Sequence, residues 1–368
     1  MTPDGLFSEY GRHLADKEAR VRALLAEHGL DGLFTGIRRC PVEGGFRGHA
    51  GFRVERGGGE ARVLGVDPRG GVKAPLEDTL WVLPEEARPT VLRVRDLVVG
   101  GAWAEAVFGF AVRLEHGTLR AHVSLSAPRE SPPLEPLCRA LLEGAPGVLG
   151  AAVVSQGVEA GEAWLANRLG GKTVLAHHRA FFQSNLRLVP EMVEEIQRPL
   201  ERPARVVDLY CGAGLHSVLA AAPGTRVYGA DNNRWAVESA RRNAELHHLA
   251  DAEYACEPAE RFAAERAFDA PDAVFVNPSR HGCGPGVPEA VARWRPAAVC
   301  LVSCSIDSHL RDTLAFLRAG YRPVSLRCFD MFPFSEFLES VTHFEPEVGD
   351  RGQVTGDSLQ TAALTRLA

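Results

Sequence analysis

The 368-residue chain lacks several patterns that define common protein classes. None of its eight cysteines forms a C-x-x-C pair, which argues against a zinc ribbon or an iron–sulfur cluster, so we expect no metal. It has no apolar run of about eighteen residues and no basic start followed by an apolar stretch. We therefore expect no membrane span and a cytoplasmic protein.

The chain also lacks the positive charge of a strongly basic nucleic-acid-binding protein, because its net charge is −6. Residues 1–180 hold 22 basic and 22 acidic side chains, so the whole negative excess lies in the remainder. If a polyanion binds, the first half offers the better surface. Ordinary surface charge explains these numbers equally well.

An apolar content of 45% and this length are enough for two domains with cores of their own. Residues 7–28 show helical spacing of apolar positions, with basic side chains such as Lys17 predicted on a solvated face. Residues 62–126 read mostly as strands, including 80–83 and 91–99. We predict that residues 1–180 form an α+β, largely antiparallel domain that recognises the substrate.

Two clusters in this first half remain open to more than one interpretation. Phe46, Arg47, Phe52 and Arg53 alternate aromatic and basic side chains, which suits RNA stacking and phosphate contacts and suits an ordinary half-buried hairpin equally. The pair His177–His178 has no further ligand at metal spacing, so we interpret it as structural.

Residues 181–368 alternate strands and helices, which predicts a mainly parallel sheet covered on both faces. Ligands of such sheets bind at the carboxyl ends of the strands. A glycine turn with Gly212 and Gly214 follows the strand at 205–210, and Asp231 ends the next strand. Glycines allow close backbone approach, and an acidic side chain there can accept hydrogen bonds from ribose hydroxyls, so we predict a nucleoside-containing cofactor.

Two further strand ends carry side chains suited to catalysis. Cys304 follows an apolar strand and precedes a helix, whose dipole we expect to lower the pKa of the thiol and favour a nucleophilic thiolate. Glu339 lies at the start of the last strand and is a candidate base beside that thiol. Asn277 opens an Asn-Pro turn, of the kind that methyltransferases place beside the methyl donor.

Six segments of the second half together resemble the uridine-C5 RNA methyltransferases that use S-adenosylmethionine. The segments are FFQSN (181–185), DLYCGAG (208–214), GADN (229–232), NPSR (277–280), VSCS (302–305) and DMFPFSEFLES (330–340). The start of the chain is similar to the tRNA (uracil-54-C5)-methyltransferases within that group. The resemblance implies a Rossmann-like class I methyltransferase domain over residues 181–368.

The resemblance also implies the role of each site residue. Gln183, Tyr210, Asp231 and Asn277 fall on positions that hold S-adenosylmethionine or the target base, with Gly212 and Gly214 in the cofactor turn. Cys304 falls on the nucleophile that adds to uracil C6, and Glu339 on the base that removes the C5 proton. The implied product is 5-methyluridine in RNA, with the T-loop of tRNA as the expected substrate.

The chain departs from the family pattern at a few positions, which are Leu215, Asn277, Ser305 and Phe334. Three alternatives stay open at this point. One is methylation of 23S rRNA, and another is a non-catalytic RNA-binding or chaperone protein with the same fold. The third, a nicotinamide-dependent oxidoreductase, uses a similar glycine turn, but Ser217 stands where its third glycine or alanine belongs, and it leaves Cys304 unexplained.

Overall fold

The computed structural model describes residues 3–57, 60–68, 71–101, 103, 105–198 and 203–347. The strands are β1 (Phe34–Arg38), β2 (His49–Gly57), β3 (Glu60–Asp67), β4 (Val72–Pro75), β5 (Gly109–Leu114), β6 (Ala121–Ser126), β7 (Val148–Val153), β8 (Val158–Gly161), β9 (Trp164–Leu169), β10 (Lys172–His177), β11 (Arg205–Leu209), β12 (Arg226–Asp231), β13 (Ala252–Cys256), β14 (Ala273–Val276), β15 (Ala298–Ser303), β16 (Tyr321–Phe329) and β17 (Glu339–Pro346).

The helices separate these strands and cover both sheets. They are α1 (Pro3–Ala26), α2 (Leu76–Thr79), α3 (Arg88–Gly100), α4 (Glu135–Gly144), α5 (Val189–Gln197), α6 (Leu215–Ala220), α7 (Arg234–Leu246), α8 (Ala259–Glu265), α9 (Val287–Trp294) and α10 (Ile306–Arg318). None of the described helices combines the length and apolar character needed to cross a membrane.

An eight-stranded sheet in the order β13-β12-β11-β14-β15-β17-β16-β1 forms the larger part of the fold. All pairs are parallel except those that β17 makes with β15 and β16. Successive residues of β11 face opposite sides: Val206 packs with α5 and α6, whereas Val207 packs with α8 and α9. Burial on both faces explains why these strands are continuous apolar runs.

A seven-stranded sheet in the order β4-β3-β2-β5-β6-β7-β8 forms the first half, and β9 and β10 pair separately as a hairpin. Its pairs are antiparallel except β6 with β7, which α4 connects. The predicted antiparallel α+β unit and the mainly parallel methyltransferase-like sheet are therefore both confirmed.

Two strand predictions in the first half are wrong. Residues 91–99 lie within α3, where Val91, Val94 and Val98 are buried at helical spacing behind a proline in the first turn. Residues 80–82 form a single 3₁₀ turn. In both cases our prediction gave more weight to the abundance of β-branched and aliphatic residues than to the spacing of the apolar positions.

The aromatic side chains of the first half are in the core. Phe46 and Phe52 are 2% and 7% exposed, and Phe52 packs on Phe110 with ring centroids 5.0 Å apart. Arg53 is exposed beside Glu55. Buried rings cannot stack on RNA bases, so the half-buried hairpin is the interpretation that the structure supports.

Candidate active site

The turn after β11 has a backbone that suits glycine. Gly212 and Gly214 have φ of 55° and 74°, in the left-handed region, and Tyr210 shares it with φ of 59°. At Gly214 a Cβ atom would lie 3.1 Å from the Cβ of Ala240 in α7, closer than ordinary contact. The turn therefore passes close to α7 and then enters α6, as the strand, glycine and helix pattern predicts.

Asp231 ends β12 and braces this turn. Its Oδ2 accepts a hydrogen bond from the backbone N–H of Gly212 at 3.0 Å, and its Oδ1 accepts one from Asn233 at 2.8 Å. Each carboxylate oxygen has two lone pairs, so both can accept a further donor. The side chain is half-buried, which leaves it accessible to a ligand.

Asn277 directly follows β14, the strand beside β11, and its side chain contacts α6. Its backbone N–H donates to the Leu209 carbonyl at 3.2 Å, and its Nδ2 lies 3.2 Å from Nε2 of His216. Burial lowers the pKa of His216 to about 4, so the imidazole is neutral and can accept that amide hydrogen. The Asn277 amide oxygen is then the group left to bind a donor.

The Tyr210 hydroxyl already has two partners. It donates to Glu260 Oε1 at 2.8 Å and accepts from the Gly284 N–H at 3.0 Å. These bonds connect the glycine turn to α8 and to the loop after Asn277. Any contact of Tyr210 with a ligand therefore uses its ring or backbone.

Cys304 and Glu339 come together through the register of β15 and β17. Ser303 pairs with Ser340 in this antiparallel pair, so one step further places Cys304 opposite Glu339. Directly opposite residues of such a pair have Cβ atoms about 4.5–5.5 Å apart. Glu339 acts electrostatically on the Cys304 thiol, so the two side chains lie near each other at the carboxyl end of β15, on the same edge of the sheet as the turn and Asn277.

Burial raises the pKa of the Cys304 thiol to about 11, and the nearby Glu339 adds to that rise while Arg280 opposes it. Our expectation of a helix-lowered thiol pKa is therefore wrong, because desolvation outweighs the dipole. Burial also raises the pKa of Glu339 to about 8. At neutral pH the thiol and most of the carboxyl are protonated.

Gln183 lies in the connection between β10 and α5. Its side chain is buried, and its backbone carbonyl oxygen lies 3.2 Å from Nε2 of His116. Two residues later, Asn185 donates to the carbonyl of Met331 at 3.0 Å. The segment is thus anchored to residues 330–338, which lead into Glu339, although the described contacts do not join the Gln183 side chain to Cys304 or Asp231.

Comparisons with known proteins agree with this geometry. The family model of the methyltransferase small domain matches residues 185–290. An RNA methyltransferase of Thermotoga maritima, named as uncharacterized, is 31% identical over 163 residues, covering 44% of this chain and 37% of that protein. The tRNA (uracil(54)-C(5))-methyltransferase of Pyrococcus abyssi is 30% identical over 181 residues, covering 49% and 42%.

A solved structure extends the similarity to both halves of the chain. The tRNA (uracil-54, C5)-methyltransferase of Pyrococcus abyssi, crystallised with S-adenosyl-L-homocysteine, matches with a TM-score of 0.71 and 21% identity, over 91% of this chain and 83% of that one. The chain has a class I methyltransferase fold. The resemblance drawn from the six motifs is confirmed, although the sequence matches cover only 37–42% of the first relatives' length.

Sequence reasoning missed a buried ion pair that holds residues 330–338, the loop that leads into Glu339. Lys17 of α1 lies 2.6 Å from Asp330 Oδ1, and it also donates to the carbonyls of Phe332 and Phe337. Its predicted place on a solvated face is wrong, because its side chain is 7% exposed. The signal was present: Lys17 continues the helical stripe of the buried residues Tyr10, Val21 and Leu25.

Asp208, which opens the glycine motif, is also fully buried. Its Oδ2 accepts from the Ser217 N–H at 3.2 Å, while no partner for Oδ1 lies among the described residues. Burial raises the pKa of this carboxyl to about 7. Asp208 therefore joins the end of β11 to α6 from beneath the turn.

Proposed function

We propose that the chain is an S-adenosylmethionine-dependent methyltransferase that makes 5-methyluridine in RNA, with the T-loop of tRNA as its substrate. The observation that carries this proposal is the register of β15 and β17, which sets Cys304 opposite Glu339 at the ligand edge of the sheet. A thiol paired with a carboxyl serves uracil C5 methylation directly. The names of the relatives support the same reaction and the tRNA substrate.

The residues at the strand ends fit the cofactor. Asp231 retains lone pairs for ribose hydroxyls, Asn277 retains its amide oxygen, and the turn with Gly212 and Gly214 allows close approach. Tyr210 and Gln183 complete the set that we assign to the cofactor or the target base. Bound S-adenosylmethionine supplies an electrophilic methyl group, which the activated C5 carbon receives.

Uracil C5 is too weak a nucleophile to take a methyl group unaided, so Cys304 must first activate the ring. The thiol loses its proton to solvent and its sulfur bonds to C6, which moves the electrons of the C5–C6 double bond toward the C4 carbonyl and creates an enolate with a nucleophilic C5. After methylation, the Glu339 carboxylate removes the C5 proton. That electron pair restores the C5–C6 double bond as the C6–S bond breaks and the thiolate leaves.

Because the pKa values of both groups are raised, each group must lose its proton before it can act in these steps. Burial keeps Cys304 and most of Glu339 protonated at neutral pH, as their pKa values of about 11 and 8 require. A positive charge nearby favours the ionised form of each group. Arg280 already provides one such charge beside Cys304. A sulfonium cofactor in the crevice would provide a second, so ionisation is coupled to cofactor binding.

We propose further that residues 1–180 bind the RNA and residues 181–368 carry the reaction, in the cytoplasm. The target base must leave the RNA stack to reach Cys304. The segment through Gln183 connects the two parts: Asn185 donates to the carbonyl of Met331, and the carbonyl of Ser184 accepts from the N–H of Gly48, just before β2. This arrangement suits a division between RNA recognition and chemistry.

Covalent trapping tests the reaction. RNA that contains 5-fluorouridine should form a lasting adduct with the wild-type protein and cofactor, because fluorine cannot be abstracted as a proton. Cys304→Ala should form none, and Glu339→Gln should accumulate the adduct even with ordinary uridine. Denaturing electrophoresis and mass spectrometry of the adduct measure both results. Cys138→Ala, a buried thiol of α4, is the control and should behave as wild type.

The remaining outcomes separate the alternatives. Nucleoside mass spectrometry of tRNA and rRNA from cells with and without the protein identifies the substrate: loss of 5-methyluridine from 23S rRNA alone would overturn the tRNA assignment. A protein that binds RNA and cofactor, gives no adduct, and keeps its RNA affinity in Cys304→Ala would be a non-catalytic RNA-binding protein.

A further inference from the structure

A cluster of possible metal ligands lies outside the proposed active site. Glu159 of β8, His177 at the end of β10 and the adjacent His178 each offer one ligand atom, and these atoms lie within 4.8 Å of one another. Glu159 Oε1 is 3.2 Å from Nε2 of His178. The histidine pair was visible in the sequence, but its third member is 18 residues away and only the fold brings it near.

The two imidazoles are held firmly by aromatic neighbours. The ring of His177 lies nearly parallel to that of Trp235, with centroids 4.0 Å apart, and edge-on to Trp164. The ring of His178 stacks on His122 at 4.1 Å. Positions fixed in this way reduce the entropy that a bound ion would otherwise cost.

Burial leaves one nitrogen of the cluster without a hydrogen-bond partner among the described residues. The His178 side chain is 1% exposed, and its Nδ1 is buried with no hydrogen-bond partner among the described residues. Its Nε2 faces Glu159, and Nδ1 of His177 accepts from the Arg179 N–H at 3.2 Å, so the Nε2 atoms are the nitrogens left to bind an ion. Glu159, at 41% exposed, connects the cluster to solvent and gives an ion a way in.

We propose that Glu159, His177 and His178 bind one transition-metal ion, with Zn²⁺ as the best match. Two imidazoles and one carboxylate, with water in the fourth position, are an established set of zinc ligands. Mg²⁺ and Ca²⁺ require six or more oxygen ligands and do not fit. Tetrahedral coordination at about 2.0–2.2 Å requires the ligand atoms, which lie within 4.8 Å of one another, to come closer, and rotation of the exposed Glu159 side chain can bring its carboxylate toward the imidazoles.

Nearby positive charge makes the site selective. Arg113 donates to the carbonyls of His177 and Ala180, so a guanidinium lies beside the ligands. A purely electrostatic attraction for cations is therefore weak here. Binding must come from the imidazole nitrogens, which favour zinc and similar transition metals.

The position of the site gives the ion a structural role. Glu159 is on the edge strand of the seven-stranded sheet, whereas His177 donates its backbone N–H to Ser239 of α7, in the methyltransferase part. The carbonyl of Arg179 accepts from Asn233, two residues after Asp231. An ion here would fix the first sheet against the second and steady the segment that leads to Gln183.

Cobalt titration of the full chain, without an affinity tag and after treatment with a chelator, tests the proposal. Wild type should bind one equivalent of Co²⁺ with visible absorption typical of tetrahedral nitrogen and oxygen ligands, and one equivalent of Zn²⁺ should displace it. Glu159→Gln should weaken binding at least tenfold, because it removes the charged ligand at an exposed position that folding does not require. Glu162→Gln, an exposed neighbour, should bind as wild type.

Several results would overturn the assignment. These are the absence of any Co²⁺ band, a thiolate charge-transfer band that shows binding by cysteines, or equal affinity in wild type and Glu159→Gln. His178→Gln, checked for folding by circular dichroism, gives a second comparison and should abolish the band. None of these readouts involves methyl transfer, so this proposal and the proposed function can fail separately.

Discussion

At the scale of single residues, Glu339 makes the stability of the protein depend on pH. Its side chain is 4% exposed, and burial raises the pKa of its carboxyl from about 4.5 to about 8. Between those pH values the unfolded chain releases a proton that the folded protein keeps. Its contribution to stability is therefore complete below pH 4.5 and declines by up to about 1.4 kcal/mol per pH unit as pH rises toward 8.

We expect Glu339→Gln to remove this loss, because the amide stays neutral. The variant should match wild type near pH 4 and exceed it by a few kcal/mol in free energy of unfolding at pH 8. Urea denaturation across that range measures the difference. Glu336→Gln, at a side chain that is 71% exposed, is the control and should show no such trend. A difference independent of pH would contradict the role of burial.

Some candidate site residues could be predicted from the sequence and others could not, depending on whether the order of strands alone brings them together. Cys304, Glu339 and Asp231 stand at strand ends, and the topology of a parallel sheet predicts that strand ends meet. Glu159 has no such signal, because its approach to His178 depends on how β8 packs beside the hairpin. The raised pKa of the Cys304 thiol could not be predicted from the sequence either, because it depends on burial that only the packed loops create.

At the scale of elements, α1 supports the loop of residues 330–338. Lys17 is buried against Asp330, which is 1% exposed, and bonds to two carbonyls of residues 330–338. Removing one partner of a buried ion pair typically costs about 3–5 kcal/mol, because the other charge remains without compensation. We therefore expect Lys17→Met to destabilise the protein by that amount in urea denaturation.

Two further variants make this prediction specific. Lys17→Met combined with Asp330→Asn should recover part of the lost stability, because the uncompensated carboxylate is gone. Arg12→Met, at an exposed position on the same helix, should change the free energy of unfolding by less than about 0.5 kcal/mol. An equal loss in Arg12→Met and Lys17→Met would show that helix α1 as a whole, and not the ion pair, is responsible.

Helix α3 shows how an element can be misjudged although its signal is present. Its buried residues Val91, Val94 and Val98 follow helical spacing, and a proline occupies the first turn. Valine is frequent in strands, and that preference led to the wrong assignment. Burial on one face of a helix outweighs the small propensity cost of β-branched residues.

At the scale of the whole molecule, the methyltransferase sheet is completed by the start of the chain. Strand β1 pairs in parallel with β16, and Phe34 packs with Leu326 and Leu310. The predicted boundary near residue 180 stays a prediction, since α1 and β1 lie beside the second half. Sequence order alone did not indicate this, because the pairing joins segments almost 300 residues apart.

We expect a chain that begins at residue 39 to lose stability in the methyltransferase sheet more than in the seven-stranded sheet. Without α1 and β1, strand β16 becomes an edge with unpaired backbone groups, Leu326 loses apolar cover, and Asp330 loses its partner Lys17. Hydrogen exchange should show protection of residues 321–329 falling by about tenfold or more, with residues 109–126 little changed. Phe34→Ala in the full chain should give the same pattern in weaker form. This variant replaces the truncated chain as the test if the truncated chain does not fold. Unchanged protection of β16 in both variants would show that the methyltransferase sheet is stable without its first strand.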